Sequence, residues 1–226
     1  EDTPEKNNQA QRVKQFMNYY LTNIMEEYTP DMDQMLFYLP LAGSTFKKTY
    51  FDEAMNRVVS KFVPVENLVV PYETSDLETC PNITQVVRMS LNDLRKNQIS
   101  GFYRDVEVMP AQKDLTSVNE ETNRIEGVEP SQIDYDCTLL ESHVDLDLEG
   151  YEDMDEDGDP TGIKVPYVVT LSADNGQVLS IRRNYAEDDE NRKKIQYFTH
   201  FKFLPGFGFY GLGLIHTIGG LSRTAT

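Results

Sequence analysis

The sequence predicts an α+β fold: an N-terminal helical hairpin, a small mixed α/β lobe, and an antiparallel β lobe leading into an apolar helix. Three observations carry that expectation. Apolar residues recur at three-and-four spacing near the start of the chain. Strand-like segments bounded by turn signals fill most of the remaining chain. Finally, the uncharged run LPGFGFYGLGLIHTIGG, Leu204 to Gly220, passes from a strand-like stretch into a helix-like one.

The first helix is expected over Gln9 to Tyr28, where Val13, Phe16, Met17, Tyr20, Leu21, Ile24 and Met25 form one stripe. Thr29-Pro30 should stop it. Asp31 should then cap a second helix, Met32 to Leu39, that Pro40 terminates. From Thr45 the period changes: TFKKTYF and VVSKFVPV flank the turn-like DEAMNR as a β-hairpin, and LVVPY comes next as a short strand. NITQVVRM reads as a strand, SLNDLRKNQISG as a short helix opened by Ser90 and closed by Gly101, and FYRDVEV as a further strand. SVNEETNRIEG suggests a helix within a polar stretch. Beyond it CTLLESHVDLDLEGY alternates, VPYVVTL and QVLSIRRNY form a hairpin around Asp174-Asn175-Gly176, and IQYFTHFKFL is the last strand.

These elements divide the chain into residues 1–110, a helical hairpin plus a small α+β lobe; 111–135, a polar connector; and 136–226, an antiparallel β lobe with an acidic insertion and the start of an apolar helix. At 226 residues the chain can bury a sizeable core. It carries 38 acidic and 21 basic residues, a formal net charge of −17, which disfavours a simple nucleic-acid binder or an anionic-membrane binder. Ten of those acids lie between Glu141 and Asp159, where there is no Lys or Arg, so the rest of the chain is only mildly acidic. Cys80 and Cys137 are too few for a disulfide framework or a thiolate metal site, and read as reduced and structural. The chain opens at Glu1 without a Met or a charged-then-apolar leader and stops at Thr226 just inside an apolar segment. It reads as a piece of a longer polypeptide.

Gly206-Phe207-Gly208-Phe209-Tyr210-Gly211 is a literal G-x-G-x-x-G between a strand and a helix, the placement a dinucleotide site requires. The preceding strand, however, alternates with charged residues, three bulky aromatics crowd the turn, and no acidic residue for a ribose comes after it. Phe203 to Leu221 nearly reaches the length of a membrane span, but its six glycines and Pro205 favour a loop entering a buried helix. Asp153, Asp155, Asp157 and Gly158 in DMDEDGDPTGIK match the first half of a calcium loop, with Asp159 a further carboxylate. Lys164 stands where the bidentate Glu belongs and Pro160 interrupts the run, so a solvated acidic hairpin tip is the simpler account. His143 and His200 fall on strands as surface or satisfied imidazoles. Lys47-Lys48 and Arg182-Arg183 read as solvated pairs. No catalytic residue, cofactor or metal is expected.

YTPDMDQMLFYLPLAGSTFKKTYFD, FVPVENLVVPY, ETSDLETCPNITQVVRMS, LRKNQISGFYRDVEV and YFTHFKFLPGFGFYGLGLIHTIGGLSRTAT occur in an order that resembles the portal proteins of short-tailed bacteriophages. The resemblance covers most of Gln9 to Asp105 and Gln196 to Thr226. The acidic stretch Asp114 to Gly162 has no counterpart in it. What it implies is a head-to-tail connector of the virion, without enzyme activity, forming a ring of twelve subunits at one capsid vertex and assembled in the host cytoplasm. Double-stranded DNA would pass through without specific binding during packaging and ejection, and terminase, capsid and tail adaptor proteins would be its partners. This chain would supply the wing of such a subunit, with no membrane contact. The alternative reading is a calcium-binding β domain centred on the acidic loop 153–164.

Overall fold

A computed structural model describes residues 3–52, 55–108, 124, 127, 136–154, 159–189 and 191–225. Its elements in chain order are α1 (Pro4–Tyr19), a π-helical turn (Tyr20–Ile24), α2 (Tyr28–Ala42), β1 (Ser44–Asp52), β2 (Arg57–Val63), β3 (Leu68–Val69), β4 (Asn82–Ser90), α3 (Leu91–Ile99), β5 (Asp136–Leu146), β6 (Val165–Ser172), β7 (Val178–Arg183), β8 (Phe198–Lys202) and α4 (Leu214–Ala225). The class is α+β, with two antiparallel sheets. Contacts divide the chain into two units: Glu1–Glu66, Tyr72–Cys80 and Gln196–Thr226 in the first, Asn67–Pro71 and Pro81–Ile195 in the second.

In the first unit the sheet order is β2-β1-β8. The last strand therefore pairs with β1, Phe46 opposite His200, rather than extending the strands that precede it in sequence. α2 lies against β1 and β2, with Met35 buried beneath it. β2 is an edge strand, and side chains of the helical layer take up its outward N–H groups. Tyr20 Oη accepts from Val58 N–H at 2.9 Å and Asp31 Oδ2 from Phe62 N–H at 2.8 Å. Glu27 accepts two hydrogen bonds from Arg57 Nη1, at 2.7 and 2.8 Å. Burial works against the Glu27 carboxylate, but its own N–H and the Arg57 guanidinium outweigh that and hold it below the usual range.

The helix boundaries differ from those expected. α1 begins at Pro4, where a missing N–H costs nothing. The break falls at Met25, with φ −89° and ψ 79°, and not at Thr29-Pro30. Pro30 sits in the first turn of α2, where proline is tolerated, so Asp31 is not a cap but a bridge to β2. Pro40 is carried inside the last turn, and Gly43 ends the helix in the left-handed region at φ +87°, donating to Leu39 carbonyl at 2.8 Å.

The second unit holds the sheet β3-β4-β5-β6-β7. α3 is opened by Ser90 as expected: Ser90 Oγ accepts from Asp93 N–H at 3.1 Å and donates to its carboxylate at 2.8 Å. One cluster joins Leu94, Tyr103, Val108, Cys137, Leu139 and Leu179; another joins Val165, Tyr167 and Val169 with Val144 and Leu146. The β6–β7 hairpin turns at Gly176, φ +67°, as Asp174-Asn175-Gly176 predicts. FYRDVEV is not a strand: the N–H groups of Phe102 and Tyr103 turn back to Asn97 carbonyl, leaving only Arg104 to reach Leu179. The helix expected in SVNEETNRIEG lies outside the described residues, Arg124 and Gly127 apart. Cys80 and Cys137 are buried and form no disulfide.

At Gly43 backbone approaches backbone closely. A Cβ there would fall on the main chain of Gly211, Leu212 and Gly213, and one on Gly211 or Gly213 would fall on the main chain around Gly43. Left-handed strain and overlap with unyielding backbone add. Gly43→Ala is expected to lower the unfolding free energy by about 3 kcal/mol, read from urea midpoints. Gly208→Ala, where a Cβ meets nothing, serves as the control and should be close to neutral.

Candidate functional site

The aromatic–glycine turn closes on itself. Leu212 N–H donates to Leu204 carbonyl at 2.8 Å, Gly211 N–H to Ser44 Oγ at 2.7 Å, and Gly213 N–H to His216 Nδ1 at 3.1 Å. The amides of Gly211, Leu212 and Gly213 are thus already bonded within the chain. Gly206 is needed because a Cβ would strike Tyr210 carbonyl, and Gly211 because of its approach to Gly43. This run is architecture.

Below the turn, His200 is held between two phenylalanines. Its ring centroid lies 4.6 Å from Phe46 and 4.6 Å from Phe209, and both phenyl rings are buried. His200 Nε2 is 3.1 Å from Ser44 Oγ. The Gly211 N–H donates to the same oxygen, which ties the imidazole and the turn to one hydroxyl. Burial, reinforced by the Lys202 charge, pulls the His200 pKa down to about 4.

Lys47 overturns its reading as solvated. It is 4% exposed, its Nζ has no hydrogen-bond partner, and it lies 4.3 Å from the centroid of the Tyr28 ring. Burial lowers its pKa, opposed by the charges of Asp31 and Glu27. Strand alternation is the signal the sequence holds for this, because of two consecutive lysines on β1 one must face inward. Arg182 is not simply solvated either: its guanidinium stacks 3.4 Å from the Phe102 centroid and donates to Phe102 carbonyl at 2.9 Å. His143, 3% exposed, is satisfied by Glu141 at 2.8 Å.

In the second unit Asp153 sits at an open cleft of about 610 Å³, lined also by Tyr151, Glu152, Arg183, Tyr185 and Arg192. Its Oδ2 accepts from Thr161 Oγ1 at 2.8 Å, its carbonyl from Thr161 N–H at 2.8 Å, and its Oδ1 is ion-paired with Arg192. A Met154–Pro160 bridge closes the loop. Asp159 is exposed, and Asp155 and Asp157 lie outside the described residues. The carboxylate that would open a calcium loop thus stands beside a guanidinium. Asp189 accepts from the N–H groups of Asn191 and Lys193, at 3.0 and 2.8 Å, and so shapes the turn that presents Arg192, at φ +49°. No spacing rule links Arg192 to Asp153, which is why the sequence conceals the pair. Among the described residues no three His, Cys, Asp or Glu side chains come together as a metal site. No helix among them is long and apolar enough to cross a membrane.

The chain matches the family model described as Phage SU10 portal protein over residues 2–220 and belongs to that family, a family of phage portal proteins. None of the curated proteins matches it.

The His200 cluster sets a pH dependence. The folded imidazole binds a proton less readily than the unfolded one, whose pKa is about 6.5, so the stabilisation is complete above pH 6.5 and drains away as pH falls toward 4. The loss should total no more than about 3 kcal/mol. Urea midpoints of wild type and His200→Gln, measured across that window, should converge as pH falls; parallel profiles would refute the assignment.

Proposed function

We propose that the chain is a subunit of the phage portal ring, at one vertex of the virion, and that its work is structural. Twelve copies would form the conduit through which double-stranded DNA is packaged and later ejected. The same ring would dock terminase during packaging and capsid and tail adaptor proteins around it, with assembly in the host cytoplasm and without cofactor or enzymatic chemistry. The observation that carries this reading is family membership along nearly the whole chain.

The charge supports it. A conduit should not grip its cargo, and a chain of net charge −17 withholds the phosphate contacts that give DNA binding its affinity and salt dependence. The fold supports it as well, because several large apolar side chains, among them Phe16, Phe37, Phe207 and Leu221, are left exposed in the single subunit, as an assembling protein requires.

Electron microscopy and native mass spectrometry of the full-length protein test the proposal. Closed rings are expected, with twelvefold symmetry, together with negligible retention of duplex DNA at physiological salt. A protein that stays monomeric at every concentration, or that binds duplex tightly with a steep salt slope, would overturn it.

A further inference from the structure

α1 buries none of its side chains, yet it carries an apolar stripe. Val13, Phe16 and Met17 lie at i, i+3 and i+4 on one face and are half or more exposed, Phe16 at 59%. Exposed Arg12 and Lys14 project about 100° to either side of Val13, and Lys6 extends the same face toward the N-terminus. The base of this stripe is fixed, since Tyr20 holds Val58 N–H on β2 and its ring lies tilted against Phe16. α2 presents the complement. Its inner side is occupied by Met35 and by Tyr38, which bonds Glu66 and packs edge-on against Phe62. Its outer side exposes Leu36, Phe37 (80%) and Leu41, with Asp33 on the same face, Glu26 just before the helix, and no Lys or Arg anywhere in α2.

We infer that α1 of one copy lies on the outer face of α2 of the next copy. The apolar stripes meet, and Arg12 and Lys14 face the acids Asp33 and Glu26. Because the two surfaces are different patches of the same chain, the contact is head-to-tail. It leaves a free α1 at one end and a free α2 at the other until the chain of copies closes into a ring. The inference rests on the ring reading above and assigns to it the elements that meet between neighbours. A basic, aromatic helix would otherwise attract polyanions, and covering it with an acidic neighbour removes that hazard.

The test is a full-length chain carrying Phe16→Cys and Phe37→Cys, oxidised after assembly; the native Cys80 and Cys137 are buried and do not compete. Expected is a ladder of cross-linked species on a non-reducing gel, rising to the full ring, with neither single variant giving more than background. Rings that form but do not cross-link, or cross-linking confined within one copy, would overturn the inference and leave the ring reading intact. Absence of rings in the wild-type protein would instead remove the ring reading itself. As a second arm, Arg12→Glu with Lys14→Glu should reduce ring yield about tenfold, and adding Asp33→Lys with Glu26→Lys should restore it. Ring yield unchanged by the reversal would count against the contact.

Discussion

The first unit depends on a place where three glycines let main chain touch main chain. At Gly43 helix α2 stops and β1 starts; at Gly211 and Gly213 the aromatic turn stops and α4 starts. Side chains at these points would hold the two corners apart by the width of a methyl group or more, and the hydrogen bonds that cross the gap would be lost. Those bonds run from Phe203 N–H to Gly43 carbonyl and from Gly211 N–H to Ser44 Oγ. Segments from opposite ends of the chain are thereby brought into one sheet. Once β8 is beside β1, Phe46, His200 and Phe209 stack beneath the turn, and burying those rings supplies the apolar contacts that glycine cannot.

The remaining ties arise from the groups this sheet leaves unsatisfied. β2 is its edge, and the helical layer meets the edge with polar atoms: a tyrosine hydroxyl, an aspartate and a glutamate–arginine pair. That use of polar groups also places Lys47 beneath Tyr28, where its charge faces two carboxylates without a direct hydrogen bond. In the second unit Asp153 plays a like part, its carboxylate accepting from Thr161 Oγ1 and lying against Arg192. Both units thus use some of their charged side chains to hold backbone in place.

Local signals are legible in the sequence. The Ser90 cap, the Asp174-Asn175-Gly176 turn, the β1–β2 hairpin and the strand–turn–helix run at the end each depend on residues within a few positions of one another. The features that escape sequence reasoning are set by distance or by competition. The pairing of β8 with β1 cannot be seen in periodicity, because both strands alternate equally well with other partners. Pro30 and Asp31 carry the marks of a helix boundary, and the structure uses them within a first turn instead, since β2 offers Asp31 a better donor. FYRDVEV has strand composition, yet α3 captures its first amides. Of the candidate site, the six-residue glycine motif is legible as architecture from its aromatics, whereas the Arg192 partner of Asp153 is invisible, lying in a turn with no spacing relation to it.

Native-state hydrogen exchange on the amides of Phe203, Gly211 and Leu212 tests the glycine junction most directly. If that junction is what holds the first unit together, these amides exchange only when the β1–β2 ladder also opens, and their opening free energies match those of Lys47 to Val59. If they exchange at the rate of an exposed loop while β1 and β2 stay protected, the junction is an ornament on a sheet that stands without it.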